Sequence, residues 1–164
     1  MTRTLVLGVG NTLLSDEGCG VHVVRHLQGK LDERKDVQLL DGGTLSFSLA
    51  APIADHEELI VVDAARLDAP PGAFRCFQGE AMDRFLGNRR RSAHEVGLLD
   101  LMDMLRLTDC LPRRRALVAI QPASLEWGAR PTAMVAAAIP QAARRVLELI
   151  DHWRNPDAGR RICA

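Results

Sequence analysis

Apolar runs alternate with helical spacings along most of this chain, the pattern of a parallel sheet whose strands are joined by helices. The first run, Thr4 to Val9, predicts a buried strand that leads through Gly8-Val9-Gly10-Asn11. A helix is expected from about Glu17, because Val21, Val24, Leu27 and Leu31 recur at spacings of three and four. Val37 to Leu40 predicts a second strand ending in Asp41-Gly42-Gly43-Thr44, followed by a helix over Leu45 to Ala54. Leu59 to Val62 is almost purely apolar and should be a central strand covered on both faces. After Pro70-Pro71-Gly72 the alternation from Ala73 to Gln78 suits an edge strand, for which antiparallel pairing is open. Asn88-Arg89-Arg90-Arg91 reads as an exposed loop before His94. From Glu95 onward, Leu98, Leu99, Met102 and Leu105 mark another amphipathic helix.

Arg115 to Gln121 predicts the last strand, and a final helix should run from about Met134 to Trp153. Pro140 is expected to break or kink that helix near its start. The tail, about 154–164, is polar and expected to fray. The expected fold is α/β: a three-layer sandwich in one domain over 1–164, with a mostly parallel, twisted sheet of about five strands and helices on both faces.

Composition narrows the function classes. With 21 basic and 21 acidic side chains the formal charge is zero, so nothing draws the whole molecule to nucleic acid or an anionic membrane. Cys19, Cys76, Cys110 and Cys163 form no CxxC pair, which argues against a structural zinc site and a disulfide framework. No apolar run approaches the ~20 residues of a membrane span. The first residues carry no signal-peptide pattern, so a cytoplasmic protein is expected.

Several residues at predicted element ends carry candidate chemistry. Gly8-Val9-Gly10 after a strand suggests a dinucleotide turn, with Asp41 at the place of a ribose-binding acid in that pattern. The third glycine of that fingerprint is Leu13 here, and Asp16 and Glu17 would repel a pyrophosphate. The two acids also suit plain helix capping, with Ser15 or Asp16 as N-cap. Asp63 ends the apolar central strand, where a buried carboxylate needs a cation or several hydrogen-bond donors. His94 opens a helix. A carboxylate, a second carboxylate and an imidazole at element ends are what a small open metal site requires. His22 and His26 have metal-ligand spacing but lack the glutamate of HExxH, and read as residues of a solvated face. Cys19, with His94 and Asp63, forms an alternative nucleophilic triad that ranks below the metal reading.

The run Gly8-Val9-Gly10-Asn11-Thr12-Leu13-Leu14-Ser15-Asp16-Glu17-Gly18-Cys19-Gly20-Val21 resembles the opening signature of the hydrogenase maturation endopeptidases. The likeness continues in order through Asp41-Gly42-Gly43-Thr44, Val62-Asp63-Ala64, Ser92-Ala93-His94-Glu95-Val96-Gly97-Leu98 and Gln121-Pro122-Ala123-Ser124-Leu125-Glu126. The resemblance implies an endopeptidase that trims the C-terminal extension from the large-subunit precursor of a nickel–iron hydrogenase. By the same resemblance Glu17, Asp63 and His94 form the metal-binding and catalytic trio, and Asp41, Gly42, Gly43 and Thr44 engage the precursor. The nickel is expected to arrive in the precursor rather than to be stored by the protease. Hydrolysis without a covalent intermediate is expected, with Asp16 or Glu17 as general base if the metal only positions the peptide. A monomer is expected, with no nucleic-acid or membrane partner. Arg89-Arg90-Arg91 and Arg113-Arg114-Arg115 read as solvated loops rather than grips for the precursor. A metal-binding chaperone of hydrogenase assembly that performs no cleavage is the alternative.

Overall fold

The computed structural model describes residues 2–88 and 94–156; of His94, Glu95 and Val96 it describes the backbone alone. The sheet contains β1 (Thr4–Val9), β2 (Val37–Gly43), β3 (Glu58–Ala64), β4 (Phe74–Gln78) and β5 (Arg114–Ile120), in the order β2-β1-β3-β5-β4. All neighbours pair in parallel except β4, the antiparallel edge strand. Every residue of β1 and β3 is buried, as expected for strands flanked and covered on both faces.

The two-residue period of the strands sorts their side chains into two cores. Val6, Ile60, Val62 and Val118 meet α1 (Cys19–Leu27) and α5 (Ala133–Arg154) on one face. Leu5, Leu7, Leu59, Val61 and Leu117 meet α2 (Ala50–Ala54), α3 (Glu80–Gly87) and α4 (His94–Leu107) on the other. The predicted three-layer sandwich is therefore the observed one. Among the described residues no helix is long and apolar enough to cross a membrane.

The amino edge of the sheet is closed by charge. Buried Glu58 accepts hydrogen bonds from Thr4 Oγ1 at 2.5 Å, Arg154 Nη1 at 2.5 Å and Arg114 Nη1 at 3.1 Å. Arg154 also donates to Asp36 at 2.9 Å, so the end of α5 is fastened to the starts of β1 and β3 and to the turn before β2. With its partners in place the buried carboxylate is compensated.

Three expectations change, and one helix was not foreseen. Over 45–54 the chain is a 3-10 turn (Phe47–Leu49) followed by α2, because Ser46 is extended at φ −145°. The helix α3 carries only two buried residues, Met82 and Leu86, too sparse a stripe to read as periodic. The last helix continues through Pro140: Val135 and Ala138 before it and Ala142, Ala143 and Val146 after it are buried together, and that packing offsets the lost backbone bond. Arg115 is structural rather than solvated, since it pairs with Asp83 on α3 through Nε and Nη2 at 2.9 and 2.5 Å, while Arg113 and Arg114 stay exposed. Arg89-Arg90-Arg91 and 157–164 lie outside the described residues.

Candidate active site

Strand β1 leads to β2 on one side of the sheet, whereas β3, its other neighbour, leads away toward β4 at the opposite edge, so the connections after β1 and β3 run in opposite directions. In such sheets a crevice opens at the carboxyl ends, between β1 and β3. Glu17 follows β1 and Asp63 is the penultimate residue of β3; both are buried, each with 3% of its surface exposed.

Backbone packing brings Glu17 to this edge. Gly10 adopts φ 134°, and a Cβ there would collide with the Glu17 carbonyl oxygen. The chain then makes a 3-10 turn, Ser15–Gly18, packed on β3 and leading into α1. Gly20 lets α1 sit directly on the strand ends, because a Cβ there would collide with the Val62 carbonyl oxygen and lie 2.6 Å from that of Val9. The sequence places a carboxylate on the turn, and the two glycines allow that turn to approach Asp63. The Asp63 carboxylate itself accepts the Ala64 N–H at 2.8 Å.

Asp16 performs neither expected role. The cap position is Leu14, without a side-chain hydrogen bond, and Ser15 takes the left-handed φ of 50°. Asp16 is fully buried and turned toward the connection between β5 and α5. Its Oδ2 accepts the N–H groups of Ala123 and Ser124 at 2.8 and 3.0 Å, and its Oδ1 accepts that of Thr132 at 2.6 Å. The Thr132 hydroxyl donates to the same carboxylate, at 3.0 and 2.9 Å from the two oxygens. Ser15 adds hydrogen bonds from its Oγ to the Glu126 carbonyl and from its N–H to the Gly128 carbonyl, both 2.8 Å. These bonds occupy the acceptor capacity of Asp16 and make it the clamp of the loop, not a general base.

The glycine turn does not form a phosphate cradle. Three of its N–H groups are already engaged: Gly10 donates to the Gly43 carbonyl at 2.8 Å, Leu13 to Asn11 Oδ1 at 2.9 Å and Leu14 to the Asn11 carbonyl at 3.1 Å. The first of these bonds joins it to the Asp41-Gly42-Gly43-Thr44 segment, which forms one lip of the crevice. Asp41 accepts from Gly43 N–H at 3.0 Å and pairs with Arg25 at 3.2 Å, an exposed contact that holds it weakly.

The thiol of Cys19 is buried near both acids. Burial first, then the negative charges of Asp63 and Asp16, push its pKa well up. A thiol kept protonated is a poor nucleophile, so Cys19 is a core residue rather than the nucleophile of a triad. The histidines of α1 also separate: His26 shares a 2.7 Å hydrogen bond with Lys30. His22 is half-buried rather than solvated, its Nε2 enclosed without a hydrogen-bond partner among the described residues. Burial and then Arg25 lower its pKa, against the opposing pull of Asp41.

His94 begins α4, whose first turn reaches the same edge: at Gly97 an added Cβ would stand 3.5 Å from Leu45, just beyond β2. The imidazole of His94 lies outside the described residues, and among the described side chains no three metal-ligating groups cluster. The elements carrying the expected trio thus converge on one edge of the sheet.

Residues 21–149 match the family described as hydrogenase maturation protease. The chain is 37% identical over 147 residues to the hydrogenase 2 maturation protease of Escherichia coli K12, covering 88% of each. It is 33% identical over 152 residues to the hydrogenase expression/formation protein HupD of Rhizobium leguminosarum bv. viciae, covering 92% of this chain and 75% of that one. Among solved structures, the hydrogenase maturating endopeptidase HybD from E. coli superposes with a TM-score of 0.82 at 35% identity, over 92% of this chain and 93% of its own. The protein is accordingly a hydrolase of the peptidase class. It belongs to the hydrogenase maturation protease family.

Proposed function

We propose that this peptidase removes the C-terminal extension from the large-subunit precursor of a nickel–iron hydrogenase, after nickel has been inserted. The observation that carries the reading is the burial of Glu17 and Asp63 at the carboxyl ends bordering the β1–β3 crevice, beside the edge where α4 begins with His94. Two carboxylates withdrawn from water favour a divalent cation strongly, and an imidazole completes a donor set suited to nickel. The nickel belongs to the precursor and is substrate here; a precursor without it offers the acids nothing to hold.

Glu17 and Asp63 would bind the metal face of the precursor while Asp41, Gly42, Gly43 and Thr44 line the extended peptide beside it. The bound metal then supplies Lewis acidity toward the scissile carbonyl or the attacking water. Asp16, saturated by loop N–H groups, keeps the turn in place. In this reading the enzyme works as a cytoplasmic monomer.

The test is intact-mass spectrometry of nickel-loaded precursor after incubation with Asp63→Asn or His94→Ala protein. Each substitution should slow removal of the C-terminal peptide more than about 100-fold, beyond the effect usual for residues one step removed from a metal. Circular dichroism should remain unchanged. Trimming at the unaltered rate by either variant would refute the trio, and a wild-type protein that binds precursor without trimming it would favour the chaperone reading.

A further inference from the structure

Six large apolar side chains are exposed among the described residues: Leu13, Phe47, Leu107, Leu125, Trp127 and Met134. Their distribution is one-sided. Leu13 follows β1, Phe47 follows β2, Leu125 and Trp127 follow β5, and Met134 lies in the first turn of α5. All five therefore stand at the carboxyl edge, around the crevice that holds Glu17 and Asp63. Only Leu107, at the far end of α4, lies elsewhere.

The rim is also built, not merely left uncovered. Gly128 donates to the Leu13 carbonyl at 2.9 Å and accepts from Ser15 at 2.8 Å, which sets Leu13 beside Trp127-Gly128. The Asp16 clamp fixes the same loop from beneath through Ala123, Ser124 and Thr132. Trp127, 81% exposed, is thus presented to water between Glu126 and Gly128, whose carbonyl oxygens accept hydrogen bonds from the hydroxyl and N–H of Ser15. A large aromatic ring on a rigid support loses little entropy on contact and buries roughly 150–250 Å². Across the crevice, Phe47 borders a cavity of about 150 Å³ between the segment after β2 and the start of α4.

We infer that this apolar rim is the docking surface for the folded body of the precursor, with Trp127 as its principal anchor. The inference rests on the proposed substrate, since a protein substrate that reaches Glu17 and Asp63 must cover the rim that surrounds them. It adds a division of labour: the acids read the metal, and the rim supplies most of the affinity. With zero net charge on the enzyme, apolar contact rather than bulk attraction would hold the complex.

The experiment compares precursor affinities by calorimetry for Asp63→Asn protein, used to block cleavage, and for the same protein carrying Trp127→Ala or Leu107→Ala in addition. Trp127→Ala should raise Kd about thirty-fold, the effect of losing an anchor residue, and Leu107→Ala should leave it unchanged. Equal affinity with and without Trp127, or no complex with the organism's own precursor, would overturn the docking surface. Sedimentation showing a dimer that Trp127→Ala dissolves would assign the rim to a second copy and overturn it equally. Mass spectrometry of the calorimetry samples reports separately on the site: trimming by Asp63→Asn contradicts the role of Asp63, whatever the affinities show.

Discussion

Adjacent acids at 16 and 17 receive opposite assignments from their surroundings. Asp16 spends its carboxylate on three backbone N–H groups and a hydroxyl, whereas Glu17 is carried to the crevice next to the end of β3. Hydrogen bonds to a charged acceptor contribute about 1.5–3 kcal/mol each, and their donors would be stranded without it. Asp16→Ala should therefore lower unfolding stability by at least about 3 kcal/mol in denaturant titrations. It should also slow precursor trimming, because the rim loop and the turn bearing Glu17 lose their shared anchor; stability within 1 kcal/mol of wild type, on the order of a surface substitution, would contradict the clamp. The sequence offered two acids under a glycine turn but not this division. The partners of Asp16 lie more than a hundred positions away, at Ala123, Ser124 and Thr132, and no local pattern points to them.

At the level of elements, the strands were the most legible. Apolar runs at Thr4–Val9 and around Leu59–Val62 are decided by burial on both faces, and the structure extends the second only to Glu58–Ala64. Helices with a narrow or mixed face were harder: α3 buries only Met82 and Leu86, and Phe47–Leu49 takes a tight turn that periodicity does not distinguish from α-helix. The seat of α1 on the sheet is sterically exacting. Gly20→Ala would drive a methyl into the Val62 carbonyl, and should cost about 1–3 kcal/mol by the usual scale of overpacking, measured by thermal unfolding.

Helix α3 is held by charge as well. The hydrogen bond from Arg115, the largest influence on Asp83, holds its pKa below the ordinary carboxylate value, with Arg106 and Arg84 adding to the effect against a cost of burial. A depressed folded pKa contributes stability above the unfolded pKa and loses it as pH falls through the folded one. Asp83→Asn should therefore lower the denaturation midpoint at pH 7 and leave a smaller difference from wild type at pH 3. A difference that grows in acid would contradict this sign.

At the scale of the whole molecule the two edges of the sheet differ in character. The amino edge is sealed by Glu58 with Thr4, Arg114 and Arg154, while the carboxyl edge keeps Glu17 and Asp63 buried beside the Asp16 clamp, the Asp41-Gly42-Gly43-Thr44 lip and an apolar rim. The fold class and Glu17, Asp63 and His94 as candidates could be read from the sequence, because each stands at the end of a recognisable apolar run or opens one. The rim could not: Leu13, Phe47, Trp127 and Met134 gain meaning only when separate loops meet at one edge. The most direct measurement is the intact mass of the large-subunit precursor after incubation with this protein, once with nickel inserted and once without. Loss of a short C-terminal peptide from the nickel-loaded precursor alone is the predicted result. Equal trimming of both would contradict metal recognition by Glu17, Asp63 and His94, and trimming of neither would contradict the proposed substrate.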